Sequence, residues 1–128
     1  MNDLAYWVGF NRVRGIGPLR LRALLDTYGS IERAWHAPAE QLSHVGLDSR
    51  SVKNLLKTRS EIDLARELDR LQALGVQVLT WESPDYPRLL LETHAPPPVL
   101  CVKGELREHD AWAVAIVGTR RASTYGRE

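Results

Sequence analysis

The stretch AVAIVGTRRASTYG, residues 113–126, decides how the second half of this 128-residue chain is interpreted. An apolar run over residues 112–117 ends at Gly118, and a polar segment with two arginines leads to a helix start at Thr124. A strand that is apolar on both faces is typical of a buried parallel sheet. The sequence therefore predicts a strand, a loop and a helix start, in the order found in open α/β sheets.

The predicted loop carries the chemistry of an anion site. Loop amides and a helix N-terminus at the carboxyl end of a strand favour anions. Hydroxyls can donate to phosphate oxygens, arginines can clamp them, and an aromatic ring can stack on a base. The glycine spacing fits neither a dinucleotide-binding fingerprint nor a Walker motif. The residues predicted to bind phosphate or DNA are Gly118, Thr119, Arg120, Arg121, Ser123, Tyr125 and Gly126.

Two further strands are expected upstream of this loop. Residues 76–81 are rich in β-formers, and residues 99–102 form a second short apolar run. Between them, turn-forming residues precede Pro87, which can open a short helix over 88–91, and a proline run forces extended backbone. Cys101, inside the second strand, is expected to be an inert core thiol.

Helices are expected throughout the first half. Pro18 suits the first position of a helix that Gly29 can terminate. Ser30 and Asp48 can cap two further helices, over residues 31–36 and from 48 to about 57. Apolar residues then recur on one stripe of a predicted helix over residues 60–74, at Ile62, Ala65, Leu68, Leu71 and Leu74.

The turn between the first two helices has the form of a helix-hairpin-helix. Two glycines allow a sharp turn, one of them at positive φ, and the amides that follow can face a phosphate. Such contacts hold a nucleic-acid backbone without reading its sequence. The alternative is a tight turn that only packs two helices, and Gly46 offers a weaker second copy. The candidate residues of the hairpin are Arg14, Gly15, Gly17 and Arg20.

Charge is distributed unevenly along the chain, although the formal net charge is +1. Residues 1–60 carry nine basic and five acidic groups, and residues 61–128 carry eight basic and eleven acidic ones. The first half is therefore at +4 and the second at −3, which favours a first half that faces a polyanion. An ordinary solvated helical surface is the simpler alternative.

Composition excludes several classes of protein. The chain is 44% hydrophobic and 26% charged, which is typical of a globular protein and excludes disorder or a collagen repeat. One cysteine cannot form an internal disulfide, which suits a reducing compartment. The sequence shows no signal peptide, no apolar run long enough for a membrane, and no histidines at ligand spacing. It predicts no catalytic constellation, metal or cofactor, and core positions for the four tryptophans.

Several motifs in order resemble the DNA-processing protein A (DprA, also called Smf) family. They are Asp85-Tyr86-Pro87, Leu89-Leu90, Pro97-Pro98-Val99-Leu100, Lys103-Gly104 and residues 115–126, with Thr119 where a serine is commoner. The resemblance implies an α plus α/β chain: a SAM-like helix-hairpin-helix domain over residues 1–74, then the first strands of an extended Rossmann-type domain over 75–128. The chain would then be the N-terminal part of a longer protein.

The same resemblance implies a function and partners. Such proteins are bacterial and cytoplasmic, bind and protect single-stranded DNA during natural transformation, and help to load RecA. The loop matching residues 118–126 would engage phosphates of the single strand. The full-length protein would be a homodimer, with no cofactor, no enzymatic step and no membrane partner.

Two other functions remain open on the residues alone. A Rossmann-type nucleotide hydrolase would need a second glycine-rich segment and a catalytic glutamate and arginine, which are not evident here. A stand-alone helix-hairpin-helix module would hold duplex backbone through Gly15 and Gly17.

Overall fold

Eight short α-helices and a two-stranded sheet make up the regular structure of residues 3–128, the part of the chain that the computed structural model describes. Single 3₁₀ turns occupy Ser43–Val45 and Glu108–Trp112. The elements in chain order are α1 (Asp3–Asn11), α2 (Pro18–Tyr28), α3 (Ile31–Trp35), α4 (Ala39–Leu42), α5 (Ser49–Glu61), α6 (Leu64–Ala73), β1 (Val76–Thr80), α7 (Arg88–Leu91), β2 (Val99–Lys103) and α8 (Thr124–Arg127). None of these helices has the length and apolar character needed to span a bilayer.

Local capping chemistry places the helix ends, and most of the predicted ends are confirmed. Pro18 occupies the first turn of α2, and Gly29 ends it in the left-handed region at φ 81°. The Ser30 hydroxyl accepts the Arg33 amide at 3.2 Å, and the Asp48 carboxylate accepts the Ser51 amide at 2.8 Å. Each bond satisfies an amide that the first helical turn would otherwise leave without a partner.

The predicted helix over residues 60–74 is wrong in its start. Helix α5 continues to Glu61, the chain turns extended at Ile62, and Asp63 caps α6 by accepting the Arg66 amide at 3.1 Å. Because of this break, the residues of α6 that face the core differ from the predicted apolar stripe. Leu64 and Leu68 are buried, whereas Ala65 is exposed and Leu74 is 55% exposed.

Helix α1 lies at the centre of the core. Every residue from Ala5 to Phe10 is buried, as expected for a helix that is apolar all round. Gly9 allows close packing, because a Cβ there would lie 2.6 Å from Leu64 Cδ2 and 2.8 Å from Trp35 Cη2. Phe10 meets Trp35 edge-on, with ring centroids 5.1 Å apart. Helices α3, α5 and α6 and both strands contact this helix.

Strands β1 and β2 confirm the two predicted upstream strands and pair antiparallel, with Val78 opposite Cys101. Val78 joins the helical core, whereas Cys101, on the same face of the sheet as its partner Val78, is exposed. The prediction of a core thiol is therefore wrong, because the helices that bury Val78 leave Cys101 uncovered. The pairing gives a chain of mixed α and β structure, and its SAM-like and Rossmann-type details remain predictions.

Trp81 attaches this hairpin to the helices. Its ring packs edge-on against Trp7, with centroids 5.7 Å apart, and the Arg22 guanidinium lies 4.2 Å from its centroid. The indole Nε1 donates to the Pro96 carbonyl at 3.3 Å. A two-stranded hairpin is marginal alone in water, so these contacts hold it in place.

The predicted third strand over residues 112–117 is absent. Trp112 ends the second 3₁₀ turn, residues 113–117 have no regular secondary structure, and Trp112 and Ile116 are 89% and 96% exposed. No strand within residues 3–128 lies beside it to complete its backbone hydrogen bonds, which a parallel strand requires. Trp112 is accordingly outside the core, contrary to the expectation for all four tryptophans.

Candidate functional site

The loop of residues 118–126 is fully accessible. Each of its residues is exposed, and Tyr125 is 89% exposed. Neither Arg120 nor Arg121 forms an ion pair with any residue from 3 to 128. The arrangement leaves two guanidinium groups and one phenol ring free to meet a ligand.

Two hydroxyls of this loop are engaged in its own backbone. The Thr119 hydroxyl donates to the Arg121 carbonyl at 2.8 Å, and Ser123 Oγ accepts the Gly126 amide at 3.1 Å as the cap of α8. The Ser123 hydroxyl keeps its own proton for donation to an acceptor. In this conformation Ser123, unlike Thr119, keeps its hydroxyl proton for a ligand.

The glycine hairpin of residues 14–17 is fixed against α5. Gly15 has φ +95°, as predicted for one of the two glycines, and Gly17 is extended at φ −91°. The Arg20 guanidinium donates to the Gly15 carbonyl and to Ser51 Oγ, both at 2.7 Å. It also lies 3.6 Å from the Asp48 carboxylate. Arg20 is therefore used inside the fold, whereas the Arg14 side chain is exposed.

Ser51 and Asn54 complete this hairpin, and neither was identified from the sequence. Ser51 is 2% exposed and donates to the Gly15 carbonyl at 3.2 Å, while Asn54 Nδ2 donates to the Arg14 carbonyl at 2.9 Å. A polar residue at a core position of α5 was the signal that could have revealed Ser51, since buried hydroxyls need a partner. A cleft of about 480 Å³ opens here, lined by Arg14, Gly15, Arg20, Asp48, Arg50, Ser51 and Asn54.

The charge of Asp48 is held by the same network, which predicts a pH effect. Hydrogen bonds from Ser51 and the nearby Arg20 guanidinium hold the pKa of this carboxyl below its ordinary value of 3.8. A lowered folded-state pKa stabilises the protein above the unfolded pKa, and that contribution is lost as the pH falls through the folded value. Between about pH 4 and pH 2, we expect the melting temperature of Asp48→Asn to fall less steeply than that of the parent protein.

Asp69→Asn is the matched control for this comparison, because Asp69 is exposed on α6. Thermal unfolding followed by circular dichroism at several pH values gives the measurement. Identical pH profiles for the two variants would show that Asp48 does not contribute as described.

Comparison with known proteins addresses both parts of the chain. Residues 77–128, which include the exposed loop, match the family described as DNA recombination-mediator protein A. The protein named Smf from Synechocystis sp. is 34% identical over 130 residues, an alignment that covers 98% of this chain. It covers 33% of that relative, so the chain spans about a third of the length of the curated protein it matches. No solved structure gives a significant match.

Proposed function

Because the chain belongs to the DprA/Smf family of DNA recombination-mediator proteins, we propose that it binds single-stranded DNA through the loop of residues 118–126. The proposed role is to hold incoming DNA during natural transformation in the bacterial cytoplasm and to help load RecA on it. The observation that carries the proposal is the pair of unpaired, exposed arginines inside the segment that matches the family.

The chemistry of the loop suits phosphodiester groups. Arg120 and Arg121 present planar donors that match two phosphate oxygens at once, and the Ser123 proton adds a further donor. The loop is exposed along its whole length, so its guanidinium groups can follow a flexible backbone. Contacts of this kind bind any sequence, as a protein that receives arbitrary DNA requires.

Exposed aromatic rings favour a single strand over a duplex at this loop. Tyr125 and Trp112 are each 89% exposed, at opposite ends of the segment that carries the two arginines. Unpaired bases offer free faces on which such rings stack, and that contact is independent of base identity. A duplex keeps its bases stacked on one another and gains nothing from these two rings.

Binding, rather than covalent chemistry, is the proposed activity. Holding a strand through phosphates and base faces needs no nucleophile, acid–base pair or cofactor. RecA and a second copy of the protein are the proposed protein partners.

Replacement of both loop arginines tests the assignment. For Arg120→Ala/Arg121→Ala, we expect the dissociation constant for fluorescein-labelled oligo-dT to rise roughly ten-fold, because two phosphate contacts are lost. The slope of log K against log salt should become shallower by about 1.4, at about 0.7 per contact with a single strand. Fluorescence anisotropy over a salt series measures both quantities.

Arg88→Ala serves as the control, since Arg88 is exposed on α7 and forms no ion pair among the described residues. Its affinity and salt slope should match those of the parent protein. If the double variant binds oligo-dT as the parent does, the loop is not the binding site.

A further inference from the structure

The basic side chains of the first half fall into two sets: those that contact other groups of the fold, and those that form no ion pair. Of the nine arginines and lysines in residues 1–60, four are committed to contacts inside the fold. Arg12 pairs with Glu67 at 3.0 Å, Arg20 contacts Asp48, Arg22 covers Trp81, and Arg59 donates to two carbonyls. Within residues 3–128, the other five form no ion pair, and they are Arg14, Arg33, Arg50, Lys53 and Lys57.

Four of these five lie together on what we call the α5 cationic face, formed by Arg14, Arg50, Lys53 and Lys57. The last three are exposed and spaced i, i+3 and i+7, so they share one stripe of α5. Arg14 joins them because its carbonyl accepts Asn54 Nδ2, and because it lines the same cleft as Arg50. Four of the five cations in the first half that form no ion pair therefore lie on one surface.

Acidic groups do little to neutralise this face. Asp48 is the acid that lines the cleft, and its carboxylate already caps α5 and lies beside Arg20. No acidic residue occurs in α5 before Glu61, at its last position. A cluster of unpaired cations on one side of a helix attracts a polyanion and costs self-repulsion without one.

The surface is rigid as well as charged. Ser51 and Arg20 hold the hairpin to the first turn of α5, and Leu55 anchors the helix in the core at 0% exposure. From Arg50 to Lys57 the charges span about 10 Å along the helix axis. Phosphates of one strand recur about every 3.4 Å along the axis of a double helix, so that distance covers roughly three phosphate-to-phosphate steps.

We propose that the α5 cationic face binds the phosphate backbone of duplex DNA. Within residues 3–60 no aromatic ring is exposed: Tyr6, Trp7, Phe10 and Trp35 are all at most 5% exposed, and the partly buried Tyr28 contacts Gln41. Affinity for single strands draws on base stacking, which this face cannot supply. A fixed array of cations instead suits the fixed phosphate array of a duplex.

This proposal goes beyond the loop of residues 118–126 and assigns a second ligand to a second surface. Each of the two surfaces therefore has its own ligand and its own residues, and either can fail without the other. A protein with both could hold a single strand and an adjoining duplex at once.

Replacement of two lysines tests the proposal. For Lys53→Gln/Lys57→Gln, we expect the dissociation constant for a blunt 20-base-pair duplex to rise roughly ten-fold. The salt slope should become shallower by about 1.8, at about 0.9 for each phosphate contact with B-DNA. Fluorescence anisotropy measures both, and binding of oligo-dT should not change.

Arg66→Gln/Arg70→Gln removes the same charge from α6 and is the matched control. Both arginines line a cleft shared with Glu61, Asp63 and Glu67, where phosphate is disfavoured. An unchanged duplex affinity in the lysine variant overturns the proposal, as does an equal loss in the control or an equal loss of oligo-dT binding. Absence of duplex binding by the parent protein at low salt overturns it as well. Weaker oligo-dT binding in the loop variant alone bears on the proposed function and leaves this proposal standing.

Discussion

Gly15→Ala is expected to lower the free energy of unfolding by about 3 kcal/mol. An L-residue in the left-handed region costs roughly 1–2 kcal/mol, and crowding a buried side chain such as that of Ser51 costs about a further 1–3 kcal/mol. Gly15 has φ +95°, and a Cβ there would collide with Ser51 Oγ and lie 3.2 Å from Ser51 Cβ. Both costs therefore apply at this one position.

Ser51 cannot rotate away from the added methyl without loss. Its hydroxyl donates to the Gly15 carbonyl and accepts from Arg20, so a new rotamer breaks both hydrogen bonds in a buried place. For a domain of about 100 residues, a loss of this size lowers the melting temperature by roughly 15 °C. Thermal and urea unfolding followed by circular dichroism measure the change.

Gly17→Ala is the matched control two residues away. Gly17 has ordinary backbone geometry at φ −91°, and a Cβ added there would have no neighbouring atom within 4 Å. Its stability should change by less than about 1 kcal/mol in either direction. Equal effects of the two substitutions would show that the Gly15 conformation and the Ser51 contact do not matter.

Arg59→Met is expected to cost a similar amount, about 3 kcal/mol, for a different reason. One guanidinium nitrogen, Nη1, donates to the Trp35 carbonyl at 2.7 Å and to the Ala37 carbonyl at 2.8 Å. Trp35 is the last residue of α3 and Ala37 follows it closely, and both residues are at most 4% exposed. Methionine keeps the length of the side chain but leaves two buried carbonyls without a charged donor, at about 1.5–3 kcal/mol each before relaxation.

Two further variants identify the cause of this loss. Arg59→Lys should recover part of the stability, because an ammonium group can reach one of the two carbonyls. Arg50→Met makes the same chemical change at an exposed position of the same helix and should cost less than about 0.5 kcal/mol. Urea midpoints compare all three, and a loss in Arg50→Met equal to that in Arg59→Met would attribute the effect to helix propensity.

Short-range chemistry explains why much of the helical half could be predicted. Ser30, Asp48 and Gly29 act through atoms within a few residues of themselves, so their sequence neighbours reveal their roles. The two strands of the hairpin could be recognised in the same way from their β-rich runs. Their antiparallel pairing depends on the tertiary structure and was not evident.

Long-range contacts explain what the sequence did not predict. Arg20 was predicted to face a phosphate, and its hydrogen bond to Ser51, 31 residues away, could not be predicted from its sequence neighbours. The break between α5 and α6 depends on burying Leu64 against Gly9, a contact across 55 positions. The strand predicted over residues 112–117 needs neighbouring strands, and its apolar pattern alone could not supply them.

The two candidate surfaces also differ in how far the sequence could reveal them. The exposed loop of residues 118–126 was identified because its glycine, arginines and hydroxyls are contiguous. For the α5 cationic face, the sequence indicated only an excess of positive charge in the first sixty residues. The residues that form this face could be assigned only from the structure, which shows which of the basic side chains have partners.

The packing of Trp81 has a consequence for how this protein is divided for separate study. If helices α1–α6 were produced without β1, β2 and Trp81, the faces of Trp7 and Arg22 that Trp81 covers would be exposed to solvent. The helices would also lose Val78 from their core. A fragment that ends near residue 74 would expose an apolar patch that is covered in the longer chain. Its measured DNA binding would then reflect association through that patch as well as the lysines of α5.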